Sequence, residues 1–287
     1  LKNNGFKNLK GIEPTNDAYN VTKEKGFDVE KVFFSSVFAQ RKEIQNKYDL
    51  VITRQVLEHI CELDDFLQGI NIALKKDGIL IIEVPDHSMN YELSDYTFWE
   101  EHVNYFTINT LKQLLAKHGL FIFHHDSILF SGKAIIIYCQ KISDYSINTF
   151  QDYDIKERSI YISNFSSFKS KVHRFMQDQL ESGKEILVFG AGCRGCNFVN
   201  MLDIKSYLKC FVDDSKTKSG KFTPLSHKHI INSTEINKDS IILMATNTES
   251  EESVLRRINL RKENVYSILP PSHRIPNFWK QHIMDTI

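Results

Sequence analysis

The sequence predicts an α/β fold of two tandem three-layer domains joined by a long helix. Short, continuously apolar segments such as 48–53 and 186–189 have the length and composition of strands buried in a parallel sheet. Apolar residues recur at helical spacing between such strands, as in 63–74. A longer amphipathic pattern over 162–180 separates two series of this kind. Strands that alternate with helices are typical of a sheet covered by helices on both faces.

The first series runs to about residue 140. A strand over 8–13 precedes a helix over 16–25, and Gly26 can end that helix because glycine readily adopts the C-terminal cap conformation. The later elements are an apolar run over 29–34, a strand over 48–53, a helix over 63–74, a strand over 79–84 ended by Pro85, a helix from Thr107 to Gly119, and an antiparallel strand pair at 120–130 and 133–140. We assign residues 1–150 to this first domain.

The second series begins with the long amphipathic helix. Its predicted strands cover 186–189, 208–212, 241–244 and 265–269, with helices between them. Residues 151–287 therefore form the second predicted domain, and both domains are expected to be Rossmann-like. The chain begins with Leu1 inside an apparent βα unit, so we expect the first domain to be incomplete at its N-terminal end.

Composition excludes several classes of partner. The 287 residues carry 36 Lys and Arg against 36 Asp and Glu, and this balance gives no basic excess for nucleic acid. No apolar run approaches the roughly 18 residues of a membrane span. The five cysteines are odd in number and widely spaced, which fits a reducing, cytoplasmic location and no disulfide framework. The oligomeric state is not encoded in any pattern we can identify.

Two sites could bind a nucleotide. Glu13 ends a predicted strand, where a carboxylate can accept hydrogen bonds from ribose hydroxyls. In the second domain, a strand leads into the G-x-G-x-x-G pattern of Gly190, Gly192 and Gly195, and Asp213 ends the following strand. This second pattern is that of a dinucleotide-binding turn, so an NAD-dependent oxidoreductase is a serious alternative.

One ordered set of motifs narrows the choice. The buried strand 48–53 is followed by Val56-Leu57-Glu58-His59, a helix, and Lys76-Asp77-Gly78-Ile79-Leu80. In this order the chain resembles the class I S-adenosylmethionine-dependent methyltransferases. Gly11-Ile12-Glu13-Pro14, Glu83-Val84-Pro85 and the Glu-His-x-x-Tyr-Phe of 101–106 resemble motifs of their sugar C-methyltransferase subgroup. That resemblance implies S-adenosylmethionine as cofactor and a nucleotide-linked keto sugar as substrate.

The resemblance also implies a set of cofactor contacts. Glu13 would bind the ribose, and Phe34 and Arg54 would form the wall around the adenine and the rest of the cofactor. Val32 stands where the family has an acidic residue. The family's glycine-rich cofactor loop and its four-cysteine zinc module do not occur in this chain.

Carbon methylation requires a base that removes a proton next to a ketone, and donors for the enolate oxygen. Histidine suits the role of base. The resemblance implies that His102 is this base, that Glu101 orients it, and that His59 donates a hydrogen bond to the substrate. It also places Trp99 and Tyr105 at the substrate, with Trp99 standing where the family has a tyrosine.

The second domain also resembles this family, in 211–224 and at Thr246-Asn247. By that resemblance, Gly190, Gly192, Gly195, Asp213 and Asn247 would hold the nucleotide of the substrate, because glycines and a helix N-terminus can accept a diphosphate. The alternatives are the NAD-dependent oxidoreductase and a sugar-nucleotide-binding module without catalysis. The Cys193-x-x-Cys196 pattern has no second ligand pair for zinc, so no metal is expected.

Overall fold

The computed structural model describes residues 4–6, 8–93, 98, 101–130, 132–141, 155–258 and 260–286. Over these ranges the chain forms two α/β units in succession, which confirms the predicted fold class. The domain boundary predicted between residues 150 and 151 lies outside the described residues and stays a prediction. Among the helices in these ranges, none combines the length and apolarity needed to cross a membrane.

The first unit contains two sheets. Strands β1 (Gly11–Ile12) and β2 (Val29–Glu30) form a short parallel pair. The larger sheet has the order β3-β4-β6-β5 and consists of β3 (Tyr48–Arg54), β4 (Leu74–Pro85), β5 (Leu120–Leu129) and β6 (Lys133–Lys141). Strands β3 and β4 are parallel, whereas β6 is antiparallel to both of its neighbours. The predicted hairpin at the end of this unit is therefore confirmed.

Five helices belong to the first unit: α1 (Asn16–Glu24), α2 (Ser36–Ala39), α3 (Leu63–Ala73), α4 (Ser88–Leu93) and α5 (Ile108–Lys117). Helices α3 and α5 pack on one face of the larger sheet, where alternate residues of β4 such as Leu80 and Ile82 are fully buried. Thr107 caps α5 because its hydroxyl accepts a hydrogen bond from the Thr110 N–H at 3.2 Å. This packing holds the parallel strands β3 and β4 so that their carboxyl ends lie at the same edge of the sheet.

The second unit is a five-stranded parallel sheet. In chain order its elements are α6 (Ile155–Glu181), β7 (Ile186–Phe189), α7 (Cys193–Leu202), β8 (Leu208–Val212), β9 (Ile230–Ile231), β10 (Ile241–Met244), α8 (Glu251–Ile258), β11 (Val265–Ser267) and α9 (Asn277–Thr286), and the strand order is β11-β10-β7-β8-β9. Ile186 and Val188 pack with α6, α7 and α9, whereas Leu187 and Phe189 pack with α8. Because successive side chains point to opposite faces, both faces of this sheet are covered.

Helices α4, α6 and α9 join the two units. The indole N–H of Trp279 on α9 donates a hydrogen bond to the backbone oxygen of Leu93, the last residue of α4, at 2.8 Å. Tyr91 of α4 and Tyr161 of α6 meet edge to face, with ring centroids 5.7 Å apart. These contacts hold the carboxyl ends of β3 and β4 near the start of α7.

Candidate active site

A cleft of about 290 Å³ lies between the two units. The residues after β3 and β4 line one side of it, and the segment 102–106 lines another. Arg194, in the first turn of α7, is contributed by the second unit. The position agrees with the general rule that ligands bind beyond the carboxyl ends of parallel strands.

The end of β3 is shaped by an ion pair. The Arg54 guanidinium donates two hydrogen bonds to the carboxylate of buried Glu83 on β4, at 2.7 and 3.1 Å. Gln55 follows with a φ of 52°, and its backbone N–H donates to the Glu83 backbone oxygen at 2.8 Å. Arg54, predicted to contact the cofactor, is thus held by Glu83, although its side chain stays 61% exposed.

The turn Leu57–His59 is tied to the Glu-His segment that follows it in the cleft. The backbone oxygen of Glu58 accepts hydrogen bonds from the N–H groups of Val103 and Asn104, at 2.9 and 3.1 Å. The Asn104 side-chain amide donates to the backbone oxygen of Ile60 at 2.7 Å. The two motifs that the sequence places about 40 residues apart are therefore parts of one structure.

His59 and His102 lie next to each other in the cleft. Their rings meet edge to face, with centroids 4.8 Å apart. Nδ1 of His59 donates to the backbone oxygen of Glu101 at 2.9 Å, so the lone pair of a neutral His59 is on Nε2. Burial, together with the positive charges of His59 and Arg194, lowers the pKa of His102 to about 4. His102 is therefore uncharged at neutral pH, as a base must be before it accepts a proton.

The remaining residues predicted around the substrate differ in position. Tyr105 lines the cleft and its ring lies 6.1 Å from that of His102, centroid to centroid. Glu101 is exposed, and its backbone oxygen accepts the hydrogen bond from Nδ1 of His59. Trp99 lies outside the described residues. The structure thus brings together His59, His102 and Tyr105, with Glu101 beside them.

Glu58 is a member of the site that the sequence analysis missed. Its side chain is 2% exposed, it lines the cleft, and its Oε1 lies 4.0 Å from Nε2 of His59. Burial raises the pKa of the Glu58 carboxyl above its usual value, Glu83 adds to this rise, and its own backbone N–H and His59 act in the opposite direction. The sequence marks Glu58 only by its place next to His59, and this pattern does not reveal that the side chain is buried.

The residues predicted for the cofactor fit an adenosine group in part. The Oε1 atom of Glu13, just after β1, accepts hydrogen bonds from the backbone N–H and hydroxyl of Thr15, at 2.8 and 2.6 Å. Phe34 packs into the core against Phe38 and Phe66, whereas the neighbouring Phe33 is 78% exposed. A carboxylate that can accept hydrogen bonds from hydroxyl groups suits a ribose. An exposed aromatic ring suits an adenine.

The glycine turn of the second unit, residues 190–195, is held by contacts with other residues of the same unit. The carboxylate of Asp213 accepts hydrogen bonds from the backbone N–H groups of Ala191 and Ser215 and pairs with Lys218, each at 3.0 Å. Gly190 has a φ of 105°, which favours glycine. These contacts favour a structural role for Asp213 in holding the turn over one in binding the ribose of NAD.

Gly195 should tolerate no side chain. A Cβ at this position would lie 2.4 Å from the backbone oxygen of Gly190 and 3.1 Å from Cβ of Ala245. We expect Gly195→Ala to lower the free energy of unfolding by about 1–3 kcal/mol, as other overpacked substitutions do. Chemical denaturation measures this. Gly192→Ala is the matched control because no atom lies within 4 Å of its added Cβ. Equal effects of the two substitutions would contradict the packing role of Gly195.

Two cations of the cleft were not predicted. Arg194 donates to the side-chain oxygen of Asn247 at 3.4 Å, so the predicted substrate residue Asn247 is linked to the cleft through it. Lys133, at the start of β6, lies 3.2 Å from the buried carboxylate of Asp86 and 3.7 Å from that of Glu92. Arg194 could have been found from the sequence, because it lies in a turn that resembles a dinucleotide-binding fingerprint. No sequence pattern connects Lys133 with the site.

Two family models match the chain. One, described as a methyltransferase domain, matches residues 1–125. The other, described as a C-methyltransferase C-terminal domain, matches residues 146–264.

A curated protein and several solved structures are also similar. C-methyltransferase NovU of Streptomyces niveus is 21% identical over 231 residues, which are 75% of this chain and 54% of NovU. The chain thus spans about half the length of the curated relative it matches. A SAM-dependent methyltransferase from Methanosarcina mazei matches 47% of this chain and 82% of its own, with 14% identity and a TM-score of 0.38. A 1,6-didemethyltoxoflavin-N1-methyltransferase from Burkholderia thailandensis matches 47% and 61%, with 13% identity and a TM-score of 0.37.

The sequence matches cover most of the chain and agree with each other in the chemistry they name. A methyltransferase domain is followed by a C-methyltransferase C-terminal domain, and the similar curated protein is a C-methyltransferase. Over most of its length, the chain is therefore similar to C-methyltransferases.

Proposed function

We propose that this chain transfers a methyl group from S-adenosylmethionine to the carbon next to the ketone of a nucleotide-linked sugar. The observation that supports this most strongly is the cleft between the two units. An uncharged, half-buried His102 lies there with His59, and Arg194 enters from the second unit. A base beside a guanidinium from the second unit suits a substrate that combines an acidic carbon with a diphosphate.

His102 acts as the base of the proposed reaction. A proton next to a ketone is weakly acidic, so its removal needs a neutral base held within hydrogen-bond distance of that carbon. The low pKa of His102 keeps the imidazole free of a proton at neutral pH, and it also makes His102 a weaker base than an ordinary histidine. When bound, S-adenosylmethionine supplies an electrophilic methyl group on a sulfonium. The protein adds alignment of the acceptor carbon with that group.

His59 stabilises the oxygen of the enolate. Its Nδ1–H is used by the backbone oxygen of Glu101, so Nε2 is the nitrogen that can face the substrate. A protonated Nε2 would donate a hydrogen bond to the oxygen on which negative charge develops. Donors of this kind contribute about 3–4 kcal/mol to lowering a barrier when they are held in place beforehand.

The second unit binds the nucleotide end. Arg194 lies between the cleft and Asn247, in the first turn of α7 after the glycine segment. A guanidinium can donate two parallel hydrogen bonds to a phosphate, and the N-terminus of a helix adds a favourable dipole. This arrangement makes a nucleoside diphosphate the most suitable group to be linked to the sugar in a substrate of this site.

Glu13 and Phe33 would hold the adenosine of the cofactor. The Glu13 carboxylate would accept the ribose hydroxyls, and the exposed ring of Phe33 would lie against the adenine. We expect Glu13→Ala to weaken binding of S-adenosylhomocysteine about 10–100-fold, because hydrogen bonds to a charged group are worth about 1.5–3 kcal/mol. Isothermal titration calorimetry measures the affinity. Glu24→Ala, at the exposed end of α1, is the control and should bind like the unchanged chain.

Two further arms test the proposal as a whole. Methyl-labelled S-adenosylmethionine is incubated with a panel of nucleoside diphosphate-linked keto sugars, and the product is examined for a new carbon–methyl bond. Methylation of such a sugar supports the proposal. Binding of NAD in place of S-adenosylhomocysteine, or transfer of the label to oxygen only, would contradict it.

A further inference from the structure

The turn that carries His59 also buries a carboxyl group that the proposed reaction has not used. Glu58 is 1% exposed, and neither of its carboxylate oxygens has a hydrogen-bond partner from another residue in the described part of the chain. A buried ion without a partner costs several kcal/mol. The backbone oxygen of Glu58 is held by Val103 and Asn104, which keeps the turn in place.

The carboxyl of Glu58 faces the two histidines. One ligand-type atom from each of Glu58, His59 and His102 lies within 4.8 Å of the others. The 4.0 Å between Oε1 of Glu58 and Nε2 of His59 is longer than a hydrogen bond, and a closing movement of about 1 Å would bring the two atoms within hydrogen-bond distance.

We propose that Glu58 is a positioning residue of the site: it supplies a proton to His59, and the protonated His59 stabilises the enolate oxygen. The inference rests on the proposed function. His102 takes the proton from carbon as its C–H bond breaks. A proton moves from the Glu58 carboxyl to the lone pair on Nε2 of His59, and the positive charge of the imidazolium formed there stabilises the negative charge of the enolate oxygen. The carboxylate formed at Glu58 lies close to the imidazolium formed at His102, so the two new charges compensate each other.

The charges around Glu58 agree with this assignment. His59 and His102 face it from the turn and from the segment after Glu101, and Glu83 faces it from β4 in its ion pair with Arg54. Arg194 acts on His102 from the second unit. Burial disfavours charge on both Glu58 and His102, which favours the protonated form of the acid and the unprotonated form of the base. These are the states in which an acid and a base begin an enolisation.

The protonation of Glu58 can be measured without a substrate. We expect the side-chain carboxyl ¹³C resonance of Glu58, assigned with Glu58→Gln, to titrate at higher pH than a glutamate in a short unstructured peptide. In His59→Gln the Glu58 resonance should titrate higher still, because a positive charge beside it is lost. A Glu58 resonance that titrates together with the peptide glutamate would overturn the proposal. This result stands whether or not a sugar is methylated.

A kinetic measurement follows once a methyl acceptor is found. Glu58→Gln keeps the size of the side chain and removes its acid, so kcat should fall about 10–100-fold with little change in KM. The limb of the pH–rate profile that reports the acid should disappear. Glu62→Gln should leave both constants unchanged. If Glu58→Gln keeps the wild-type kcat while His102 variants are inactive, His59 does not need Glu58 and the inference is wrong, although the proposed function survives.

Discussion

Replacement of His102 by Gln should lower kcat for methyl transfer by about 10²–10⁴-fold, the usual contribution of a general base. Glutamine preserves much of the volume and polarity of histidine, yet it cannot accept the proton from carbon. The affinity for S-adenosylhomocysteine should stay within about twofold of the wild-type value, because His102 lies beside the substrate and not at Glu13. Steady-state kinetics and calorimetry on the same preparations separate the two effects.

The pH dependence gives an independent check on His102. Its pKa is lowered from 6.5 to about 4, so the base of the free enzyme stays unprotonated over the physiological range. The rate of methyl transfer should therefore fall only as the pH approaches 4, because His102 becomes protonated there. Between pH 6.5 and 4 the unfolded chain binds more protons at this histidine than the folded chain, so folding stability should decrease as the pH falls through that window.

His125→Gln is the matched control for this experiment. His125 is exposed on β5, where it is part of the hairpin and not of the cleft. Its replacement should leave kcat unchanged. A His102→Gln enzyme that methylates its substrate at the wild-type rate would show that another group removes the proton, and the assignment of the base would have to be abandoned.

Much of the fold follows from local patterns in the sequence. The apolar runs at β7, β8 and β10 are largely buried strands, because continuous apolar segments fit a sheet that is covered on both faces. The prediction of a buried strand at β3 is wrong: among its residues only Thr53 is buried and Ile52 is 40% exposed, because β3 lies at the edge of the larger sheet in the described residues. Thr107 and Gly119 bound α5 as expected from their capping preferences. Strand β4 begins at Leu74, earlier than predicted, because Leu74 pairs with Tyr48 of β3 and so extends the strand before its apolar segment.

The site was predictable only where a motif marks it. His59, His102 and Tyr105 belong to recognisable segments, and the structure brings them together. Glu58 and Lys133 were missed because their place depends on burial and on pairing between distant strands, which no single-sequence pattern records. Phe34 illustrates the reverse case, because its neighbours Phe38 and Phe66 place it in the core while Phe33 is left exposed.

The junction between the units should depend on Trp279. Its side chain is 1% exposed, it stacks near Phe198 and meets Phe168 edge to face, and its indole N–H bonds the last residue of α4. We expect Trp279→Ala to lower the free energy of unfolding by about 3–5 kcal/mol, the range for a buried tryptophan. Equilibrium unfolding in guanidinium chloride, followed by circular dichroism, measures the loss.

Two companion substitutions grade the effect of the indole. Trp279→Phe keeps an aromatic ring but loses the N–H donor to Leu93 and part of the buried ring system, so it should cost about 1–3 kcal/mol, less than Trp279→Ala. Met284→Ala, at a 66% exposed position of the same helix, should have almost no effect. Because α4 also contributes Met89 and Asn90 to the cleft, Trp279→Phe should raise KM for the sugar more than it lowers kcat. An unfolding midpoint of Trp279→Ala equal to that of Met284→Ala would show that α9 does not hold the two units together.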